Sequence, residues 1–228
     1  KNLYKRIFKV SSFENLKVSI FVIGYKNIGE AIVVLFRDIC DGSEKIIMSM
    51  VIDSYEKEDF NMIRKVLSKY HVDKLDFVCW THPHCDHSPG IDFLIRDMFN
   101  ENMVIFSPKF YYGNLMPDLL KSESSKTPEI FDNIWNQVKD HPSFSEIWRT
   151  ISANGDATHP YLLQLLTEDG TSYKDVCFFF LTPIGSRTDV FATKGKQFGK
   201  PNELSVSFIL SVDGYDFFFK RIYYEIKF

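Results

Sequence analysis

Between Cys79 and Gly90 the chain reads Cys-Trp-Thr-His-Pro-His-Cys-Asp-His-Ser-Pro-Gly. Four side chains able to bind transition metals, His82, His84, Asp86 and His87, fall within six positions, and three of the chain's six His residues are among them. Imidazole nitrogen and carboxylate oxygen are donors that zinc, iron and manganese accept, and a loop can turn such side chains toward one point. Two metal ions about 3.5–4 Å apart can clamp the attacking and leaving oxygens of a displacement reaction. Four donors this closely spaced could serve both ions at once. Pro83 stiffens the loop, so less entropy is lost when an ion orders it. The plainer alternative is a surface loop that happens to be rich in His, but chance rarely bunches half of a chain's imidazoles so tightly.

Such a loop needs elements to hold it. Apolar bursts at 18–23, 31–36 and 46–52, punctuated by Gly24, Gly29 and Gly42, predict antiparallel strands joined by turns. A helix is expected over 56–70, with Phe60, Ile63, Val66, Leu67 and Tyr70 on one face. A strand at 75–80 leads into the His cluster. A second helix follows from about residue 91, with Ser88 as N-cap, Pro89 at its first position, and Ile91, Leu94, Ile95, Met98 and Phe99 as its apolar stripe. Another strand is expected at 103–106. The stretch from about 109 to 166 reads as mostly helical, with one helix opened by Thr127-Pro128 and another following His141-Pro142. Strands return at 176–181, 204–211 and 215–219. Within them Leu204, Val206, Phe208 and Leu210 alternate with Ser205 and Ser207, as in a half-buried strand. The expectation is a single α/β domain over 1–228, with sheets inside, helices outside and a helical insert at about 109–166.

The composition agrees with a folded domain. The 228 residues are 45% hydrophobic and 25% charged with a net charge of -3, which excludes disorder, collagen-like repeats and a coiled coil. Twenty-two Phe and 11 Tyr imply a large core. A balance of -3 is no electrostatic footprint for tight nucleic-acid binding by this chain alone. No apolar run approaches the roughly 20 residues of a membrane span, so no membrane partner is expected. Cys40, Cys79, Cys85 and Cys177 lack CxxC spacing and read as reduced thiols of a cytoplasmic protein.

His82-x-His84-x-Asp86-His87, led by a strand and Thr81 and followed by Gly90 and a helix, resembles the HxHxDH signature of the metallo-β-lactamase-fold hydrolases. The resemblance implies an αββα sandwich of two mixed β-sheets with helices on the outer faces. It also implies two zinc ions, or manganese or iron in their place. In that family His82 and His84 would hold one ion and Asp86 and His87 the other, with Asp86 also orienting the nucleophile. Met50–Ser54 matches the family's strand ending in an Asp behind the metal loop, which makes Asp53 a residue that orients a ligand His rather than a ligand. Phe21–Gly24, Ile28–Phe36, Phe180–Pro183, Asn202–Val206 and Gly214–Phe219 resemble the ComEC-like branch, the hydrolase domain of a DNA-uptake protein. The sequence also departs from the family. Where a Thr-Gly-Asp with a bridging Asp is expected, Lys220-Arg221-Ile222 follows Phe219, and no His follows His159. The C-terminal part of the domain therefore reads as incomplete.

His159, within Asn154–Pro160, is a candidate further ligand, although the same residues compose an ordinary turn. His141 suits a helix C-terminus. Arg187, Lys194, Lys196 and Lys200 form a basic loop that suits either phosphate contact or plain solvation. The expected function is metal-dependent hydrolysis of phosphodiester bonds in nucleic acid or a related substrate, in DNA uptake or defence against foreign DNA. The alternative is a degenerate binding or regulatory subunit that meets a protein partner through the helical insert.

Overall fold

The computed structural model describes residues 5–25, 29–82, 84–108, 126–151, 160–182 and 205–219. Eleven strands within them form two mixed sheets. The six-stranded sheet runs in the order β2 (Leu16–Tyr25), β3 (Gly29–Cys40), β4 (Ser43–Ile52), β5 (Phe77–Cys79), β6 (Val104–Pro108) and β7 (Trp148–Ile151). Its first three strands are antiparallel, and from β4 onward the strands are parallel. The five-stranded sheet runs β1 (Arg6–Val10), β8 (Tyr161–Thr167), β9 (Tyr173–Thr182), β10 (Ser207–Val212) and β11 (Tyr215–Phe219). Here β1 and β8 are parallel and the remaining pairs antiparallel.

Alternation along β3 explains the layering. Val34 and Phe36 point into a core shared with Phe77, Phe106, Phe178, Phe180 and Phe208 between the two sheets. Ala31, Val33 and Leu35 point the other way, onto helices α1 (Met62–Lys69), α2 (Ile91–Asp97), α3 (Thr127–Val138) and α4 (Phe144–Ile147). The chain is thus an α/β sandwich of two mixed sheets with helices on an outer face. The abundant Phe residues fill the inter-sheet layer as offset and tilted pairs, such as Phe106–Phe180 at 4.9 Å and Phe77–Phe178 at 5.3 Å between centroids. Two Asp-Gly turns close the hairpins. Asp41-Gly42 joins β3 to β4 and Asp213-Gly214 joins β10 to β11, all four residues at positive φ as a two-residue type I′ turn requires.

Three expectations need correction. The helix foreseen over 56–70 starts only at Met62, and residues before it form a tight turn in which Lys57 and Phe60 exchange backbone hydrogen bonds. Helix α2 begins at Ile91, with Gly90 at φ +84° as its N-cap; Ser88 uses its hydroxyl elsewhere, as described below. The stretch foreseen as a helical insert supplies a strand to each sheet, β7 to one and β8 to the other. In β8 the period of two is hidden in the sequence, because Leu162 and Leu166 on the less buried face are as apolar as the buried Leu163 and Leu165. Residues 109–125 and 152–159 of that stretch lie outside the described residues. None of the helices described is long and apolar enough to cross a membrane.

Candidate metal centre

The carboxyl ends of β4 and β5 lie side by side, and the chain leaves each of them into the site. Ligands gather at such strand ends in open α/β sheets. Asp53 follows β4, with its N–H on the Cys79 carbonyl at 2.8 Å, and Thr81 and His82 follow β5. Backbone hydrogen bonds then hold the loop on every side. Ser54 N–H donates to the His87 carbonyl (3.0 Å), Glu56 N–H to Pro89 (2.9 Å), Glu30 N–H to Asp86 (3.1 Å), and Val206 N–H, just ahead of β10 of the other sheet, to Thr81 (2.8 Å). Ser88 closes the loop internally: it accepts from Trp80 Nε1 at 3.1 Å and donates to the His84 carbonyl at 2.6 Å.

His82 and His87 are buried, whereas His84 and Asp86 are partly exposed. The rings of His82 and His87 are 4.3 Å apart and those of His82 and His84 5.3 Å. Asp53 organises the group. Its Oδ1 accepts the Thr81 backbone N–H at 2.6 Å, and its Oδ2 accepts the Thr81 hydroxyl at 2.6 Å and faces His87 Nδ1 at 2.8 Å. A carboxylate only accepts, so His87 carries its proton on Nδ1 toward Asp53. Thr81 has one hydroxyl proton and gives it to Asp53. Its oxygen therefore accepts from His82 Nδ1, 3.0 Å away. One carboxylate thus sets the tautomer of two imidazoles, directly for His87 and through Thr81 for His82. Nε2 is then the nitrogen through which either ring could bind a metal, with loss of the proton held there on His87.

Ionisation at the site follows from these contacts. Burial pushes the His87 imidazolium toward losing its proton, but the carboxylates of Asp53 and Asp86 outweigh it and raise the pKa to about 9. Burial would raise Asp86 as well. Hydrogen bonds from His84 (3.0 Å) and contact with His87 instead hold it well below the usual carboxylate range.

The donor set suits a metal ion. Two groups of three have donor atoms within 4.8 Å of one another, His82 with His84 and Asp86, and Asp53 with His82 and His87. His87 Nε2 and Asp86 Oδ2, assigned to one ion by the sequence resemblance, are 3.3 Å apart. That is about the spacing of two ligands at 2.0–2.1 Å on a tetrahedral ion. The structure therefore brings His82, His84, Asp86, His87 and Asp53 together. His159, Arg187, Lys194, Lys196, Lys200 and the Phe219–Lys220 junction lie outside the described residues. Thr81 and Ser88 were not identified from sequence as parts of the site, and Ser88 was assigned there to capping. Their roles depend on contacts that residue spacing does not encode.

No protein-family model matches the chain, and no curated protein matches it. Among solved structures it is similar to a long form RNase Z from yeast, at 14% identity and a TM-score of 0.35 over 74% of this chain and 28% of that one. It is also similar to a β-lactamase domain protein from Burkholderia ambifaria, at 15% identity and a TM-score of 0.33 over 72% and 45%. A third likeness is to the metallo-β-lactamase FIM-1 from Pseudomonas aeruginosa in its mono-zinc form, at 13% identity and a TM-score of 0.24 over 54% and 46%. The chain spans less than half the length of each.

Proposed function

We propose that this protein is a metal-dependent hydrolase of the metallo-β-lactamase type that cleaves phosphodiester bonds. The observation that carries the reading is the Asp53 relay, which fixes Nδ1 of both His82 and His87 and so reserves Nε2 of each for metal, next to a cluster that includes His84 and Asp86. A catalytic site needs such a directed donor set, and a chance His-rich loop has no reason to build one. In this reading His82 and His84 hold one ion and Asp86 and His87 the other. Zinc is the ion favoured, with manganese or iron as the other candidates. The ions supply Lewis acidity, which lowers the pKa of water and offsets charge that develops on the phosphoryl oxygens.

The chain's own residues do the rest. Asp86, kept anionic by His84 and His87, accepts a hydrogen bond from the attacking water and aligns it. As the new P–O bond forms and the ester P–O bond breaks, the water's proton passes by way of Asp86 to the departing alkoxide. Asp53 and Thr81 keep the His82 and His87 rings from turning, so the donors are fixed before substrate arrives. The ComEC-like segments support a nucleic-acid substrate, in DNA uptake or defence against foreign DNA, and the reduced cysteines support a cytoplasmic setting. With a net charge of -3, the chain would engage DNA with help from a protein partner. The test is hydrolysis of bis(p-nitrophenyl) phosphate by zinc-loaded protein. Activity that disappears in His84→Ala supports the reading. No hydrolysis by metal-loaded wild type refutes it in favour of a regulatory subunit.

A further inference from the structure

We infer that a cavity beside the metal loop is a subsite for a nucleobase carrying an exocyclic amino group, read by Asp92; this deepens the phosphodiesterase reading above and rests on it. The cavity has a volume of about 1040 Å³, enough to take a nucleotide. Cys85 and Ser88, which flank Asp86 and His87 in the chain, form part of one wall, and residues of α1, α2 and α3 form the others. A phosphodiester held at the metal loop therefore has room here for a flanking base.

Asp92, on α2, lines the cavity and is only 5% exposed. Its Oδ2 accepts from Asn133 Nδ2 of α3 at 2.8 Å, which fixes the carboxylate's orientation. Its Oδ1 has no hydrogen-bond partner among the described residues, and neither has the hydroxyl of Thr127, a buried residue on the same cavity. A buried polar atom left unpaired is costly to a fold, and a ligand in this cavity can supply the missing partner. The ionic groups on the walls, by contrast, are paired with one another. Arg64 meets Glu56 at 2.9 Å and Asp97 at 3.1 Å, and Arg96 meets Asp97 at 2.8 Å. Recognition therefore falls to hydrogen bonding and stacking rather than to net charge. Phe93 supplies the stacking surface. Its side chain lines the cavity half-exposed, and the Arg96 guanidinium, 4.9 Å from the ring centroid, steadies it. A flat ring with an amino group at its edge meets both demands, stacking on Phe93 and donating to Asp92 Oδ1. Cytosine and adenine have that amino group. Uracil and hypoxanthine present a carbonyl oxygen in its place, which would set two acceptors against each other.

The experiment follows p-nitrophenolate release by zinc-loaded protein from the 5′-(p-nitrophenyl phosphates) of cytidine and uridine and of adenosine and inosine. Titration calorimetry with the four free nucleosides runs in parallel. Each pair differs by an amino group against a carbonyl oxygen, so phosphate and metal contacts cancel in the ratio. Wild type should prefer cytidine over uridine and adenosine over inosine by about tenfold or more, in KM and in nucleoside affinity alike. Asp92→Asn can keep its amide oxygen on Asn133 and turn a donor toward the base, so it should reverse both preferences, which loss of a merely structural contact would not do. Phe93→Ala should weaken all four nucleosides about tenfold and keep the preference. Ester hydrolysis by wild type with ratios near one overturns the subsite and leaves the hydrolase reading intact. Nucleoside preference without hydrolysis supports the subsite and overturns the hydrolase reading. Neither preference nor hydrolysis overturns both.

Discussion

Replacing Asp53 by Asn tests the logic of the centre without changing its shape. Asp53 sits at φ +57°, a left-handed conformation that Asn adopts as readily as Asp, so the backbone has no reason to move. The amide oxygen can still accept from the Thr81 N–H. The amide nitrogen, however, now donates toward Thr81 Oγ1 and His87 Nδ1, where the carboxylate accepted at 2.6 and 2.8 Å. His87 must then carry its proton on Nε2, the atom that faces Asp86 Oδ2 at 3.3 Å and is needed for metal. Thr81 can turn its hydroxyl proton toward His82, which frees that ring to adopt the wrong tautomer too. Loss of one such outer partner costs roughly 10–100-fold in metal affinity. Asp53 serves two ligands, so the upper end is expected, a weakening worth about 3 kcal/mol at 1.4 kcal/mol per tenfold. Competition with a chromogenic zinc chelator measures this directly, well below the unfolding temperature of the variant. Thr81→Val is the companion: it removes the relay to His82 but leaves the Asp53–His87 bond, and should weaken the His82–His84 ion selectively. If folded Asp53→Asn binds zinc within twofold of wild type, the tautomer argument is wrong.

Zinc binding should release a proton at pH 7–8, because the metal takes the Nε2 position that a proton occupies on His87 with its pKa near 9. Titration calorimetry in buffers of differing ionisation enthalpy reads that proton. The apo protein should show the matching stability profile. His87 has a folded pKa above its usual value of about 6.5, so its contribution, about 3 kcal/mol, is fully present below pH 6.5 and lost as pH rises through 9. Denaturant midpoints at pH 6 and 10 test the sign. In the inter-sheet core Phe178 is fully buried and contacts the rings of Phe77, Phe106, Phe180 and Phe208. Phe178→Ala should therefore cost about 3–5 kcal/mol in urea unfolding, and a loss under 1 kcal/mol would contradict the packing described.

How much of this was legible in the sequence depends on how local each signal is. The donors His82, His84, Asp86 and His87 are adjacent in the chain, so their spacing alone exposed them. Asp53 was legible only through the resemblance of Met50–Ser54 to a family strand, because it meets His87 across 34 positions. Thr81 was not, because its role exists only once β4 and β5 pair in parallel and bring Asp53 to its hydroxyl. Strand β8 was misread for a different reason. The five-stranded sheet leaves Leu162 and Leu166 half-buried rather than solvated, so between them Gln164 alone marks the polar face in the sequence.

The same reasoning says where function is concentrated. Asp53 holds a positive φ, and its two oxygens accept three hydrogen bonds from two residues of the metal loop, Thr81 and His87. A non-glycine residue at positive φ outside a hairpin turn persists only where its surroundings over-determine it. Here the N–H bond to Cys79, the Thr81 pair and His87 do so together. Folding alone does not need this arrangement, since an apolar residue at the end of β4 would fill the same volume without a buried carboxylate. The structure thus commits a positive φ and a buried carboxylate to fixing the orientation of two imidazoles, and the benefit of that appears only when something binds to their Nε2 atoms.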